Sequence, residues 1–399
     1  MRSLLYLSCS MILNVASESL SIFPDMEIES PAKFGGKSFT YMSVENPAAL
    51  NLDGSRYGIA VCLSSTSKAN WTFSTDGGGW CYDEADCFAR ASTTLGSNKT
   101  WPGEAAAMGC DPATTSNYAR LFYGDGASRS GYREEAWPVP GNASQVMYFR
   151  GAASFDSALD LLLKLGMSQA ELIVFTGGSA GGLTVFLHLD HVAERMKTEA
   201  PNARVVGEPV CGFFLDSSND GYAPPNVTYT LQMQYVYNMQ AAGASLSPQC
   251  QAHWGKDAWK CIMAPYAAPY ITTPWFALQS RFDKWQLGEE LFMPCMQRQS
   301  YSPPWKPNTC TAADEANIRA YGPRFMSQFR PLMDTPGTKN GAFLDACIIH
   351  GSTNSKIDGV TNSEAFQQWL AGGKAWYTML CGGSDEAGPC DSGNLCAPF

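Results

Sequence analysis

The sequence predicts an α/β fold in which a mostly parallel sheet is flanked by helices and carries long loop insertions. Three observations support this prediction: a helical pattern of apolar residues over 155–163, a continuous apolar run at 172–175, and a second helical pattern from Leu183. A helix, a strand buried on both faces, a glycine turn and another helix form a βαβ-type unit. Parallel strands need such crossovers, so the sheet is expected to be mostly parallel.

The first helix of this unit has a clear apolar face. From Phe155 to Leu163, apolar residues recur at i, i+3, i+4, i+7 and i+8, the spacing of one face of an α-helix. Gly166 is expected to end this helix, because glycine is the usual residue just past a helix C-terminus. The run Leu172–Phe175 has the continuous apolar character of a strand covered on both faces.

Length and charge bound the class of protein. A chain of 399 residues with 45% hydrophobic content can bury a large core. No internal repeat or linker divides it, so we expect one catalytic domain over residues 35–380 and a cysteine-rich tail over 381–399. The net charge of -10, with no basic run, argues against a nucleic-acid partner. No later apolar run is long enough for a transmembrane segment.

Fourteen cysteines predict a disulfide-stapled protein of an oxidising compartment. A metal is not expected, because the chain has only four histidines and spacings such as that of Cys81 and Cys87 differ from those of a zinc ribbon. If processing removes Cys9, thirteen cysteines remain and at least one is unpaired or bonded to another chain. The connectivity stays open.

The N-terminus predicts secretion. Arg2 precedes a short apolar stretch at 4–15, and residues 1–17 are interpreted as a signal peptide. Four sequons for N-glycosylation agree with this route: Asn70, Asn98, Asn142 and Asn226. The expected location is extracellular or in a cell wall.

The glycine cluster at 177–182 predicts a catalytic serine. Ser179 stands in a Gly-x-Ser-x-Gly pattern between the predicted strand and the predicted helix. That context is typical of the nucleophile elbow of α/β-hydrolases, a sharp turn that exposes the hydroxyl and leaves room only for glycine beside it. We therefore interpret Ser179 as the nucleophile rather than as part of an ordinary turn.

A serine nucleophile needs a histidine as its base. His350 is favoured, because it follows the apolar run 342–349, a predicted strand, and opens a loop, and a loop after a late strand is where an α/β-hydrolase carries its base. His188 and His191 fall in the helix that starts at the elbow and are expected to point away from its mouth. His253 lies in a polar segment that we expect to be a loop.

The acid of a triad should follow a strand and lie between the serine and the histidine in the chain. Asp283 follows the predicted strand 275–279 and is favoured. Asp216, which follows the apolar segment 211–215, is the rival. Either residue could instead be a helix cap or a surface ion-pair partner.

Backbone amides must stabilise the oxyanion of a tetrahedral intermediate. The residue after the nucleophile, Ala180, is expected to supply one amide. A second could come from the stretch 77–80, which lies upstream as the oxyanion loop of esterases does. This stretch is not a phosphate cradle, because it lacks the Gly-Lys-Ser/Thr ending.

From about Asn51 to Gly351 the chain resembles the pectin acetylesterase and Notum family of serine hydrolases. The segments that carry the resemblance are Leu52–Ser55, Gly77–Cys81, Gly177–Leu183, Gly212–Asp216, Phe282–Gln286 and Cys347–His350. The resemblance implies an α/β-hydrolase fold, no metal or organic cofactor, and a secreted, disulfide-bonded enzyme.

The resemblance also implies roles for single residues. Ser179, Asp283 and His350 match the family's triad, and its oxyanion amides correspond to the residues Gly79, Trp80 and Ala180. Two positions depart from plant members: Gly178 stands where they often have cysteine, and Gly351-Ser352 where they often continue with Cys-Gln. The second departure leaves the substrate preference open.

Acyl transfer on an O-acetyl ester of a pectin-like or other extracellular polysaccharide is the function that these patterns favour. Trp80, Trp101, Trp137 and Trp285 are candidates for stacking on sugar rings. A Notum-like deacylase that removes a fatty acyl ester from a secreted protein is the alternative enzyme, and a deep apolar pocket would favour it. A catalytically silent secreted binding module is the alternative from another class.

Overall fold

Nine strands form the central sheet of the structure, a computed structural model, in the order β1-β2-β4-β3-β7-β8-β9-β10-β11. The described residues are 37–139, 141–217, 222, 227–296, 310–351, 355–381, 388–390 and 396. The strands are β1 Thr40–Ser43, β2 Gly58–Cys62, β3 Asn70–Thr75, β4 Ser116–Leu121, β5 Trp137–Val139, β6 Asn142–Met147, β7 Leu172–Gly178, β8 Arg204–Val210, β9 Phe276–Ser280, β10 Gly341–Asp345 and β11 Trp376–Thr378.

The sheet is mostly parallel, as predicted. β2 pairs antiparallel with β1 and with β4, whereas all neighbours from β4 to β11 pair in parallel. β5 and β6 form a separate antiparallel pair. Because parallel strands run in one direction, the carboxyl ends of β7, β9 and β10 lie at the same edge of the sheet.

Helices connect the strands. They are α1 Glu84–Ala91, α2 Trp101–Ala107, α3 Gly151–Lys164, α4 Ala180–Glu199, α5 Tyr229–Met239, α6 Pro248–Trp254, α7 Ala264–Ala267, α8 Ala312–Met333 and α9 Asn362–Leu370. Among the helices of the described residues, none has both the length and the apolarity that crossing a lipid bilayer requires.

The predicted central unit is confirmed. The helical pattern from Phe155 to Leu163 falls within α3, and Gly166 just beyond it has a φ of 115° that suits glycine. The apolar run forms β7, in which every residue after Leu172 is buried, so the strand is covered on both faces. α4 follows immediately and buries its apolar residues against β7 and β8.

Two local predictions were wrong, and one segment that the sequence left unassigned lies outside the sheet. The apolar segment 211–215 is not part of a strand, since β8 ends at Val210 and Cys211 has a φ of 42° that interrupts extended pairing. The run 342–349 is a strand only up to Asp345, whose carboxylate accepts a hydrogen bond from the Cys347 amide at 2.9 Å and closes a turn. His253 lies in α6 rather than in a loop.

The described residues contain six disulfides, which agrees with the disulfide-stapled protein that the cysteine count predicted. They are Cys62–Cys110, Cys81–Cys87, Cys250–Cys261, Cys295–Cys310, Cys347–Cys396 and Cys381–Cys390. Among the described residues only Cys211 is unpaired, and it is buried. The expected signal peptide at 1–17 and the sequon at Asn226 lie outside the described residues.

Candidate active site

Ser179 stands on a strained turn between β7 and α4. Its φ of 60° and ψ of -126° lie in a region that residues with a side chain seldom adopt. Glycines on both sides leave the space for this turn. A Cβ at Gly177 would lie 2.2 Å from Thr75 Oγ1, and one at Gly181 would lie 2.0 Å from the Thr75 carbonyl oxygen. Only glycine fits at these two positions.

Three polar side chains meet at the carboxyl edge of the sheet. Ser179 Oγ lies 2.8 Å from His350 Nε2, and His350 Nδ1 lies 2.9 Å from Asp283 Oδ2 and 3.0 Å from Oδ1. These residues follow β7, β10 and β9 respectively. Such a chain can pass the serine proton to the imidazole while the carboxylate holds the opposite ring nitrogen.

The carboxylate of Asp283 is fully buried and its direction is set by neighbours. Gln279 Nε2 donates to Oδ2 at 3.2 Å, and the amide of Gln286 donates to Oδ1 at 3.0 Å. Ser179 is buried as well, but 6% of its surface is exposed, whereas Asp283 has no exposed surface. The acid is therefore completely enclosed by its neighbours, and the serine keeps a small exposed fraction.

The electrostatics of the site favour a charged imidazole. Burial alone would lower the pKa of His350, but the Asp283 carboxylate and the Cys211 sulfur outweigh burial and raise this pKa above its ordinary value of 6.5. Neutral imidazole is the form that accepts a proton from serine. A site with this geometry therefore gains its proton acceptor as the pH rises.

The stretch 77–80 lies directly against the serine. A Cβ added to Gly77 would be 2.7 Å from Ser179 Cβ and 3.1 Å from the Ala180 amide nitrogen. Gly79 has a φ of 67°, and a Cβ there would meet no atom closer than 4.0 Å. In the part of the chain that the structure describes, no group accepts a hydrogen bond from the amides of Gly79, Trp80 or Ala180.

The rival residues lie in other surroundings. Asp216 binds the hydroxyls of Thr230 and Tyr266 and has no contact with His350. His188 is buried, its Nε2 lies 3.2 Å from Ser130 Oγ, and burial lowers its pKa to about 3. His191 pairs with Asp156, and His253 packs against Trp254 and Tyr270. Of the candidate bases, only His350 reaches Ser179, and of the candidate acids, only Asp283 binds His350.

Two of the four tryptophans expected to stack on sugars are core residues. Trp80 and Trp101 are each 1% exposed, so their rings are not available to a ligand. Sequence alone does not separate a buried indole from an exposed one. Trp137 and Trp285 are half-buried, and the Trp285 ring lies 6.0 Å from the His350 ring.

Sequence reasoning missed Cys211. The Ser179 amide donates to its Sγ at 3.2 Å, and the same sulfur lies 3.9 Å from His350 Nε2. The segment that begins at Cys211 was considered only as an apolar segment leading to Asp216. Its position directly after β8, the strand next to β7, could have identified it as a neighbour of Ser179. That inference requires the order of strands in the sheet, which the sequence does not provide.

Sequence comparison relates the chain to known esterases. The sequence profile of a family described as Pectinacetylesterase matches residues 35–382. "Pectin acetylesterase 11" of Arabidopsis thaliana is 29% identical over 322 residues, which are 73% of this chain and 76% of the relative. "Palmitoleoyl-protein carboxylesterase NOTUM" of Mus musculus is 25% identical over 245 residues, which are 59% of this chain and 48% of the relative.

Structural comparison finds a solved structure with a similar fold. The solved structure of the Wnt deacylase Notum from Drosophila superposes with a TM-score of 0.72 at 21% identity, covering 90% of this chain and 100% of that chain. At this identity the likeness concerns the fold. The predicted α/β class with a mostly parallel sheet is thereby confirmed.

Proposed function

We propose that this chain, which belongs to the pectinacetylesterase family, is a secreted serine esterase that removes O-acetyl groups from a pectin-like or other extracellular polysaccharide. Family membership confirms the resemblance noted in the sequence and makes the chain a carboxylic ester hydrolase. One observation carries the proposed mechanism: the unbroken set of hydrogen bonds from Ser179 through His350 to Asp283, with distances of 2.8 and 2.9 Å.

In the acylation step, Ser179 Oγ forms a bond to the carbonyl carbon of the ester while His350 Nε2 takes the hydroxyl proton. The π electrons of the carbonyl move to its oxygen, which the amides of Gly79, Trp80 and Ala180 stabilise. The tetrahedral intermediate then breaks its bond to the sugar oxygen. That oxygen leaves with the proton from His350, and the acetyl group stays on the serine.

Deacylation repeats the sequence with water. His350 takes one proton from water as the water oxygen attacks the acetyl carbonyl, and the bond to Ser179 Oγ breaks as Oγ recovers that proton. The product leaves as acetic acid, which keeps the second water hydrogen and then loses it to the solvent. Asp283 accepts the Nδ1 hydrogen throughout, which keeps the imidazole in one tautomer and balances its charge when it is protonated. No metal or organic cofactor takes part in this proposal.

Aromatic packing beside the base supports a short acyl group. The Trp80 ring lies 4.8 Å from Phe214 and 5.6 Å from Trp285, so these rings are in contact. Phe214 and Trp285 lie 6.1 and 6.0 Å from the ring of His350. An acyl chain that extended toward these rings would have to displace them, whereas a methyl group would not.

Secretion is supported by the disulfides. Six bridges are stable in an oxidising environment and rare in reducing compartments.

The half-buried ring of Trp285 beside His350 provides an aromatic surface for a sugar at the site.

The test compares the wild type with Ser179→Ala on para-nitrophenyl acetate, para-nitrophenyl octanoate and acetylated pectin. Ser154→Ala is the matched control, because Ser154 is also buried but bonds only to the Leu50 carbonyl oxygen at 3.3 Å. We expect kcat on acetate and pectin to fall on the order of 10⁶-fold in Ser179→Ala, the cost of losing a triad nucleophile. Ser154→Ala should keep its activity.

The three substrates separate the alternatives. A preference for octanoate that depends on Ser179 would favour a Notum-like deacylase acting on a fatty acyl ester of a secreted protein. Equal inertness of folded wild type and Ser179→Ala on all three would remove the esterase proposal. A secreted binding module without catalysis would then be the better account.

A further inference from the structure

Buried side chains hold the carbonyl oxygens of the segment 76–80, which contains the proposed oxyanion amides. The four bonds are Arg129 Nη1 to Asp76 O at 3.2 Å, Arg90 Nη1 to Gly78 O at 2.7 Å, Tyr123 Oη to Gly79 O at 2.7 Å and Arg90 Nη2 to Trp80 O at 3.0 Å. The three donors are at most 2% exposed. Such bonds are shielded from water, so the loop has little freedom to rotate its peptide groups.

Fixing a carbonyl also fixes the next amide. A trans peptide is planar, so the C=O of one residue and the N–H of the following residue point in opposite directions. The bond from Arg90 to the Gly78 oxygen therefore sets the direction of the Gly79 N–H. In the same way, the bond from Tyr123 to the Gly79 oxygen sets the direction of the Trp80 N–H.

Further contacts fix Tyr123 relative to the elbow. The Ser128 amide donates to Tyr123 Oη at 3.0 Å, which leaves the phenol hydrogen for the Gly79 oxygen. Ser128 Oγ accepts from Trp80 Nε1 at 2.8 Å and donates to the Ala180 oxygen at 2.8 Å. Ser128 is completely buried with a φ of 49°, a strained conformation of the kind that clusters at functional sites. Ser128 therefore links Trp80 of the segment 76–80 and Ala180 of the elbow, the two parts of the proposed oxyanion hole, and it also binds Tyr123.

We propose that Tyr123 and Arg90 are positioning residues that aim the Trp80 and Gly79 amides at the oxyanion. The inference rests on the proposed function, because it assigns these residues to the same reaction. Neither side chain touches the substrate in this account. Their effect is on the direction of two backbone N–H groups, and an interaction aimed at the transition state changes kcat rather than KM.

Tyr123→Phe tests the proposal with the loss of one oxygen atom. The matched control is Tyr377→Phe, because Tyr377 is equally buried and its hydroxyl donates to Gln368 Oε1 at 2.6 Å, with no bond to the segment 76–80. Removing an oxyanion donor costs about 10² to 10³ in kcat, so a misdirected donor should cost Tyr123→Phe about 10- to 100-fold. KM should stay within about twofold in Tyr123→Phe, and Tyr377→Phe should keep the wild-type kcat although its unfolding temperature falls about as much as that of Tyr123→Phe.

The Ki of a transition-state analogue distinguishes a positioning role of Tyr123 from a purely structural role, because a purely structural role would leave this Ki unchanged. A trifluoromethyl ketone forms a tetrahedral adduct with the serine, and its oxyanion occupies the same position as that of the ester intermediate. We expect its Ki to rise in Tyr123→Phe by the same factor as kcat/KM falls. Arg90→Lys keeps the charge but cannot reach both carbonyl oxygens as a guanidinium does, so it should show a loss in kcat and in analogue affinity of at least the same size.

The order of measurements separates the two proposals. Activity of the wild type that disappears in Ser179→Ala establishes the esterase before any positioning variant is compared. With that established, an unchanged kcat and Ki in Tyr123→Phe would overturn the positioning role. A rise in KM at constant kcat would overturn it as well, because that pattern marks ordinary substrate binding. Absence of activity dependent on Ser179 would instead overturn the proposed function.

Discussion

A single methyl group at Gly77 should disable the site without unfolding the protein. The Cβ of Gly77→Ala would lie 2.4 Å from the Gly178 carbonyl oxygen and 2.7 Å from Ser179 Cβ. The Gly178 oxygen is a backbone atom and Ser179 Cβ is attached directly to the backbone, so a change of side-chain rotamer cannot move either atom away. Since a Cβ does not come closer than 3.0 Å to such atoms, the loop and the elbow must separate by more than half an ångström.

The size of the effect follows from that displacement. The methyl group separates the proposed oxyanion loop, residues 77–80, from the proposed nucleophile Ser179, and misplacing reacting groups by about 1 Å can cost about 10²-fold in rate. For a displacement of about half that distance we expect kcat/KM of Gly77→Ala to fall on the order of 10- to 100-fold. The assay is hydrolysis of para-nitrophenyl acetate, with circular dichroism to verify the fold.

Gly103→Ala is the matched control. Gly103 lies in α2, and a Cβ there would meet no atom within 4 Å. Because alanine is the better helix former, this variant should keep full activity and gain about 0.5–1 kcal/mol in free energy of unfolding. Full activity in a folded Gly77→Ala protein would refute the close contact between the loop and the nucleophile on which this prediction depends.

Three further predictions concern pH and stability. The acid limb of kcat/KM should lie above pH 6.5, because neighbouring Asp283 raises the pKa of His350 despite its burial. Burial raises the pKa of Glu208 well above 4.5, so the contribution of Glu208 to the free energy of unfolding should fall as the pH rises above 4.5, and Glu208→Gln should gain stability relative to the wild type in urea at pH 8 but not at pH 4. Replacing Cys62 and Cys110, whose bridge spans 48 residues, by alanine should cost about 4 kcal/mol in denaturant unfolding.

Each of these has a contradicting outcome. An acid limb at or below pH 6.5 would oppose the electrostatic account of His350. The same gain for Glu208→Gln at both pH values would show that packing, not proton binding, causes the change. Removing the bridge between Cys250 and Cys261, which spans 11 residues, should cost about 3 kcal/mol by the same chain-entropy argument. A larger loss there than for the 48-residue bridge would contradict loop closure as the cause.

The elbow could be predicted from sequence because its signals are local. The strand before Ser179, the glycines around it and the helix after it are neighbours in the chain. His350 was identified from the apolar run before it. The strand in that run ends earlier than predicted, at Asp345, because an apolar pattern does not reveal where a side chain closes a turn.

Other parts of the site depend on contacts between distant segments. Tyr123 is 44 residues from the carbonyl it binds, and Cys211 reaches Ser179 because β8 lies next to β7. No periodicity or motif encodes either contact. The burial of Trp80 likewise follows from packing against Phe214 and Tyr229, which no pattern around the tryptophan indicates.

The buried thiol of Cys211 has a consequence for biosynthesis. If the chain folds in an oxidising compartment, as proposed, this sulfur can compete with the native pairs and form mixed disulfides by exchange. Closure of β8 against β7 withdraws it from that competition, since its position beside Ser179 is 1% exposed. We therefore expect correct pairing to require that the central sheet assembles before the last cysteines pair, and we expect oxidative refolding that reverses this order to give misbridged chains.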